Sequence, residues 1–100
     1  MKLEKAKLVT IIADEAIQNR LIGELKAVAV KGYTISDAVG EGINSAHLSS
    51  WEGKNVRIES LVSETKAQKI FERIYSEYLD RYSIIIFMND VDVIRKSRFS

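Results

Sequence analysis

Residues 5–14 read KAKLVTIIAD, and the fold turns on them. β-Branched and long aliphatic side chains dominate, so Lys5–Ala13 reads as a strand. Both of its faces are apolar: Leu8, Thr10 and Ile12 point one way, Val9 and Ile11 the other. Such a strand needs cover on two sides. Asp14 follows at the place of a helix N-cap, and Glu15 puts a negative charge where the helix dipole favours one.

Downstream of Asp14 the period changes from two to three and four. Ile17, Leu21, Leu25, Val28 and Ala29 form the apolar stripe of a helix spanning Ala16–Val30. Lys31-Gly32 is its expected stop, glycine being the residue that enters the left-handed conformation most cheaply. A second strand is expected from Tyr33 to about Val39, and a third from Lys54 to Val62, where Val56 and Ile58 alternate with Arg57 and Glu59. Ser63 is placed to cap a second helix with the stripe Ala67, Ile70, Phe71, Ile74 and Tyr78. The nearly continuous apolar run Tyr82–Met88 reads as the last strand, with residues 90–100 as a tail.

The resulting order, strand-helix-strand-strand-helix-strand, is the split βαβ pattern of an α+β, ferredoxin-like sandwich: a four-stranded antiparallel sheet with two helices on one face. A chain of 100 residues fits one such domain, and a second is not expected. Two helices cover one face only, yet Leu8–Ile12 and Ile84–Met88 are apolar on both. Another copy of the same sheet is the simplest cover, since closed symmetric assemblies are the usual oligomers.

Composition narrows the function. A formal charge of +1 gives no global field to recruit nucleic acid or an anionic membrane. The absence of cysteine excludes disulfides, thiolate nucleophiles and cysteine-ligated zinc. No continuous apolar stretch resembles a signal peptide, and the longest apolar run falls far short of the roughly 20 residues of a spanning helix. A cytoplasmic protein that is not embedded in a membrane is expected. His47, the single histidine, cannot by itself build a metal site. Serine and threonine lack a histidine base nearby, and Asp90 and Asp92 read as exposed charges that discourage strand pairing at a sheet edge. No catalytic machinery is visible, so an enzyme is not expected.

The irregular stretch Gly40–Gly53 is long for a compact domain, and loops of that length are uncommon unless functional or mobile. Gly40-x-Gly42 lacks the third glycine of a dinucleotide fingerprint and opens a loop rather than a helix. Its glycines allow a sharp turn and close approach of a ligand to backbone. Leu48 and Trp51 are the candidate partner-binding residues, tryptophan being common among interface anchors; the alternative for Trp51 is that it folds back onto the domain and anchors the loop.

Four segments in this order and spacing resemble the PII signal-transduction superfamily, in its PII-like branch that includes partners of bicarbonate transporters. They are Val30-Lys31-Gly32-Tyr33-Thr34, Gly40-Glu41-Gly42, Asn55-Val56-Arg57-Ile58-Glu59 and Arg81-Tyr82-Ser83. The resemblance runs across nearly the whole chain. It implies a homotrimer with clefts between neighbours, each holding an adenine nucleotide between the base of a long T-loop (here about residues 41–54), the turn before the last strand and the basic tail. The loop would change shape with ligand and dock on a target such as a membrane transporter. Carried over, Thr34, Ser36, Gly40 and Gly42 stand at the loop base, Tyr82 and Ser83 at the turn, and Arg95 in the tail.

Nucleotide-binding members of this branch carry arginines just after the glycines, where this chain reads Ile43-Asn44-Ser45-Ala46-His47. Phosphate recognition then calls on Arg57, Arg95, Lys96 or Arg98, or on a less charged ligand. The resemblance implies ATP, ADP, AMP or cyclic AMP as effector, with no cofactor required. Two other readings stay open: a constitutive trimeric interaction module without nucleotide sensing, and a metal-binding trimer like the CutA family.

Overall fold

The computed structural model describes residues 1–40 and 54–98. Its elements run β1 (Glu4–Asp14), a 3-10 turn (Glu15–Ile17), α1 (Gln18–Ala27), β2 (Thr34–Ala38), β3 (Asn55–Val62), α2 (Glu64–Glu77), β4 (Ile85–Val93) and a second 3-10 turn (Lys96–Arg98). The four strands form one antiparallel sheet in the order β2-β3-β1-β4, the α+β ferredoxin-like arrangement expected from the sequence.

Alternation along β1 and β3 decides which side chains meet the helices. Val9, Ile11 and Ala13 pair in register with Ser60, Ile58 and Val56, and all are buried. Leu21, Leu25 and Val28 of α1 and its C-terminal cap, with Ala67, Ile70, Ile74 and Tyr78 of α2 and its C-terminal cap, close over them as one core. Each fully buried aliphatic side chain contributes roughly 1.5–3 kcal/mol relative to exposure.

The first helix starts and stops differently from the expectation of Ala16–Val30. Asp14 accepts from the Ala16 amide at 2.8 Å, as a cap should, but that bond opens a 3-10 turn and the α-helix proper begins at Gln18. At the other end Ala29, not Gly32, is left-handed (φ 66°). The Ala29 amide bonds to Lys26 O and the Val30 amide to Leu25 O, a Schellman closure. Lys66 Nζ also donates to Ala29 O at 2.8 Å. Ala29 is thus exposed and outside the stripe. Ser63 caps α2 as expected, accepting from the Lys66 amide at 3.2 Å.

The last strand is displaced toward the C-terminus, Ile85–Val93 in place of Tyr82–Met88. Tyr82 belongs to a turn, its amide bonded to Tyr78 O at 2.9 Å. Polar Asn89–Asp92 stay in the strand because Lys7 and Lys5 of β1 face Asp90 and Asp92 in register and pair with them. The hydrogen bond from Lys7 holds Asp90 below the usual carboxylate range. The tail therefore begins after Val93.

The face away from the helices carries Leu8, Thr10 and Ile12 with Ile85 and Phe87 beside them. Thr10 is fully buried there, whereas Ile85 is 45% and Phe87 39% exposed.

Candidate functional site

The chain that follows Val93 turns back over the open face, and a cavity of about 610 Å³ lies between it and the connection from α1 to β2. Leu8 of β1, Leu61 of β3 and Ile94 give it apolar walls. Gly32, Tyr33 and Thr34 line one side, Glu59 and Ser60 another, and Lys31, Arg95 and Arg98 supply three cations.

Local structure explains why these groups meet. Arg95 is left-handed (φ 59°), which reverses the chain after β4 and lets the Arg98 amide close on Arg95 O at 2.9 Å. Lys31 Nζ donates to Ser97 O at 2.7 Å and ties this turn to the entrance of β2. Ser60, buried in β3, donates from Oγ to Gly32 O at 2.6 Å and fixes the same connection from the sheet side. Two elements remote in sequence are thus held around one volume.

Its charge is lopsided. Among the described residues no carboxylate forms an ion pair with Lys31, Arg95 or Arg98. Glu59, the single carboxylate at the wall among the described residues, accepts on Oε2 from Arg57 Nη2 at 3.2 Å and Thr10 Oγ1 at 3.3 Å, and so is already compensated. Unpaired cations beside an apolar slot suit a ligand that is flat and apolar at one end and anionic at the other.

A second cavity, about 330 Å³, lies at the other end of the β2–β3 pair, lined by Ile12, Val39, Gly40, Asn55, Arg57 and Ile85 among others. Thr34 pairs with Glu59 at the first end and Ala38 with Asn55 at the second, four residues or roughly 13 Å along the strand. Ser36 sits between, opposite Arg57.

The residues singled out from sequence therefore separate within one copy of the chain. Thr34 and Arg95 share the larger cavity, and Gly40 and Arg57 share the smaller. Tyr82 and Ser83 line neither. Tyr82 instead packs on Tyr78, with ring centroids 5.8 Å apart, and accepts a hydrogen bond from Arg20 Nη1 at 2.5 Å. Gly42, Leu48 and Trp51, like His47, lie outside the described residues. Among the described residues no cluster of three or more His, Cys, Asp or Glu could hold a metal, and no helix is long and apolar enough to cross a membrane.

Sequence reading missed Lys31, Tyr33, Glu59 and Leu61 as cavity residues. Lys31 reads as a helix stop, and nothing local announces its bond to Ser97. Glu59 and Leu61 carry only the alternation of a strand, although Leu61 on the open face could have been found by counting outward from Glu59.

Comparison with known proteins bears on the whole chain. The family model for nitrogen regulatory protein P-II matches residues 6–98. A protein of Thermus thermophilus described as PII-like and signaling is 40% identical over 100% of both chains, with a TM-score of 0.87. CPII of Thiomonas intermedia, solved with ADP, AMP and acetate, is 25% identical over 99% of this chain and 98% of that one, TM-score 0.86. Bacillus subtilis GlnK, solved with ATP, shares the fold at 22% identity, with a TM-score of 0.65 over 87% of this chain and 82% of that one. No protein of curated function matches.

Proposed function

The chain belongs to the nitrogen regulatory protein P-II family, and from that premise we propose that it is a PII-like regulator that senses an adenine nucleotide in clefts between the subunits of a homotrimer and reports it through its long loop. The observation that carries the reading is the 610 Å³ cavity with apolar walls and three cations, Lys31, Arg95 and Arg98, that no carboxylate among the described residues pairs with. An adenine ring would enter between Leu8, Leu61 and Tyr33, with the Thr34 hydroxyl at its edge and Glu59 Oε1 open to an exocyclic amine. Phosphate would lie toward Arg95, Arg98 and Lys31, which replace the loop arginines that the stretch 43–47 lacks.

The split of the site residues supports a cleft built by two copies. Gly40 and Arg57 at one end of the β2–β3 pair and Thr34 and Arg95 at the other do not share a cavity within one chain. A neighbouring subunit set against the open face would bring its smaller cavity, with Tyr82 and Ser83 nearby, toward the larger one. The half-exposed Ile85 and Phe87 are the apolar surface such packing would bury. CPII, which shares the fold nearly end to end, was solved with ADP and AMP, and this supports the same ligand class here.

Occupancy of the cleft would then bias the conformations of the segment 41–54, and through Leu48 and Trp51 its affinity for a cytoplasmic-side target such as a membrane transporter. Coupling of that kind requires the ligand to favour one loop state over another. Calorimetry with ATP, ADP, AMP and cyclic AMP tests the reading. Saturable binding with one site per subunit is expected for at least one of them, and no binding of any at millimolar concentration would overturn it in favour of a constitutive interaction module.

A further inference from the structure

The turn that feeds β4 is held by a side chain far from it in sequence. Arg20, exposed on α1, donates to the Tyr82 hydroxyl at 2.5 Å, and its guanidinium carbon lies 5.5 Å from the ring centroids of both Tyr78 and Tyr82. These distances are those of a cation–π contact made twice by one cation. Tyr78 is itself anchored: it is buried, its hydroxyl donates to Glu24 Oε2 at 2.9 Å, and Arg73 Nε donates to Glu24 Oε1 at 2.6 Å. Between the two tyrosines the amides of Arg81 and Tyr82 both fold back onto Tyr78 O.

Two features separate Arg20 from an ordinary helix staple. The Glu24 bonds to Arg73 and Tyr78 already join α1 to α2, so the helix pair does not need a further tie. Arg20, by contrast, has Tyr78 and Tyr82 as its partners, and Tyr82 is only half-buried and stands one residue before Ser83 and three before Ile85 of the smaller cavity. The two ring centroids are 5.8 Å apart, so the guanidinium sits beside both rings at the apex of a nearly equilateral triangle, and its bond to the Tyr82 hydroxyl fixes ring orientation as well as position.

We propose that Arg20 is a positioning residue for the ligand cleft: it holds Tyr82, and with it Ser83, in one orientation, so that α1 sets ligand affinity at a cleft it does not line. The inference rests on the assignment of Tyr82 and Ser83 to that cleft made above.

The experiment pairs ADP and AMP calorimetry with amide hydrogen exchange of residues 79–85 in ligand-free protein, for the unsubstituted chain, R20A, R20K, Y82A and R20A/Y82A. R20A is expected to speed exchange in that segment several-fold and to weaken nucleotide binding by about 5- to 10-fold. R20K, which keeps a cation over the rings, recovers part of both. Because Arg20 acts through Tyr82, R20A adds nothing to Y82A; effects that multiply would mark independent roles and overturn the proposal. Full affinity in R20A would do the same. If the unsubstituted chain binds none of ATP, ADP, AMP and cyclic AMP, it is the nucleotide reading that falls, and unchanged exchange in R20A would then overturn the positioning role by itself. Should R20A fail to show a cooperative melt, R20Q, which retains the side-chain stem, replaces it in every comparison.

Discussion

Lys31 Nζ and the carbonyl oxygen of Ser97 are 2.7 Å apart across 66 positions of sequence, and this bond joins the start of β2 to the turn after β4. It is exposed, so its contribution to global stability is small, about 0.5–1.5 kcal/mol at most. Its local effect should be large. Lys31→Ala is expected to lower the thermal midpoint by no more than a few degrees, to speed tryptic cleavage after Arg95 and Arg98, and to weaken ADP binding several-fold. Cleavage and affinity both at their original values would contradict the role given to this bond.

Arg95 combines a charge with a conformation that side chains resist, its φ of 59° costing about 1–2 kcal/mol for an ordinary residue. Arg95→Gly removes the charge and the strain together, whereas Arg95→Ala removes the charge alone. Urea denaturation should find the glycine variant within about 1 kcal/mol of the original protein, the relief of strain being offset by a freer unfolded chain. Both variants should lose nucleotide affinity to the same extent. A glycine variant that binds ADP normally would remove Arg95 from the phosphate end of the cavity.

Phe87 projects from the open face beside Thr10 and is 39% exposed in a single copy. A carboxylate there would be stranded in the apolar contact of the proposed trimer. Sedimentation equilibrium of Phe87→Glu should show a shift to monomer at concentrations where the original chain is trimeric, with far-UV circular dichroism retained. An original chain that sediments as a monomer would remove the basis for a cleft between subunits.

Tyr78 is buried, and burial first, then its bond to Glu24, raises its phenol above the ordinary value. Since the folded state holds this proton more tightly than the unfolded one, the contribution is complete below the ordinary phenol pKa of about 10 and is lost as pH climbs through the raised value. Asp90 has the opposite sign. Its pKa is lowered by the bond from Lys7, so that contribution is present above the ordinary carboxylate range and fades as pH falls through the lowered value. Denaturation curves across pH should therefore decline at both extremes, and Tyr78→Phe should flatten the alkaline limb while costing about 1–2 kcal/mol near neutrality through loss of its bond to Glu24.

What could be read from sequence and what could not divide along a physical line. Asp14 and Ser63 announce their helices because a cap acts over three residues, and the stripes from Leu21 to Val28 and from Ala67 to Tyr78 follow from helix period alone. The displaced β4 was hidden because Asn89–Asp92 are poor strand formers in isolation and become acceptable only when Lys5 and Lys7, more than 80 positions away, face them. The helix end at Ala29 was hidden for a similar reason: the Schellman bonds and the Lys66 contact tolerate a non-glycine where local preference asks for glycine. At the site, Thr34 and Arg95 lie around one volume, but Lys31 and Arg20 carry no signal of their own, since each is defined by a partner more than 60 positions distant.

The pairing of β1 with β4, which runs from Ile12 opposite Ile85 to Glu4 opposite Val93, also imposes a schedule on synthesis. β1 emerges first and both its neighbours emerge later, so the core face of Val9 and Ile11 waits, unpaired, until β3 and then β4 have been made. At ordinary elongation rates that interval is on the order of 10 s. During it the chain holds an apolar strand with two open edges, the species most prone to stick to its own kind. Lysines at positions 2, 5 and 7, at the leading end of that strand, are charges of the kind that discourage edge-to-edge pairing.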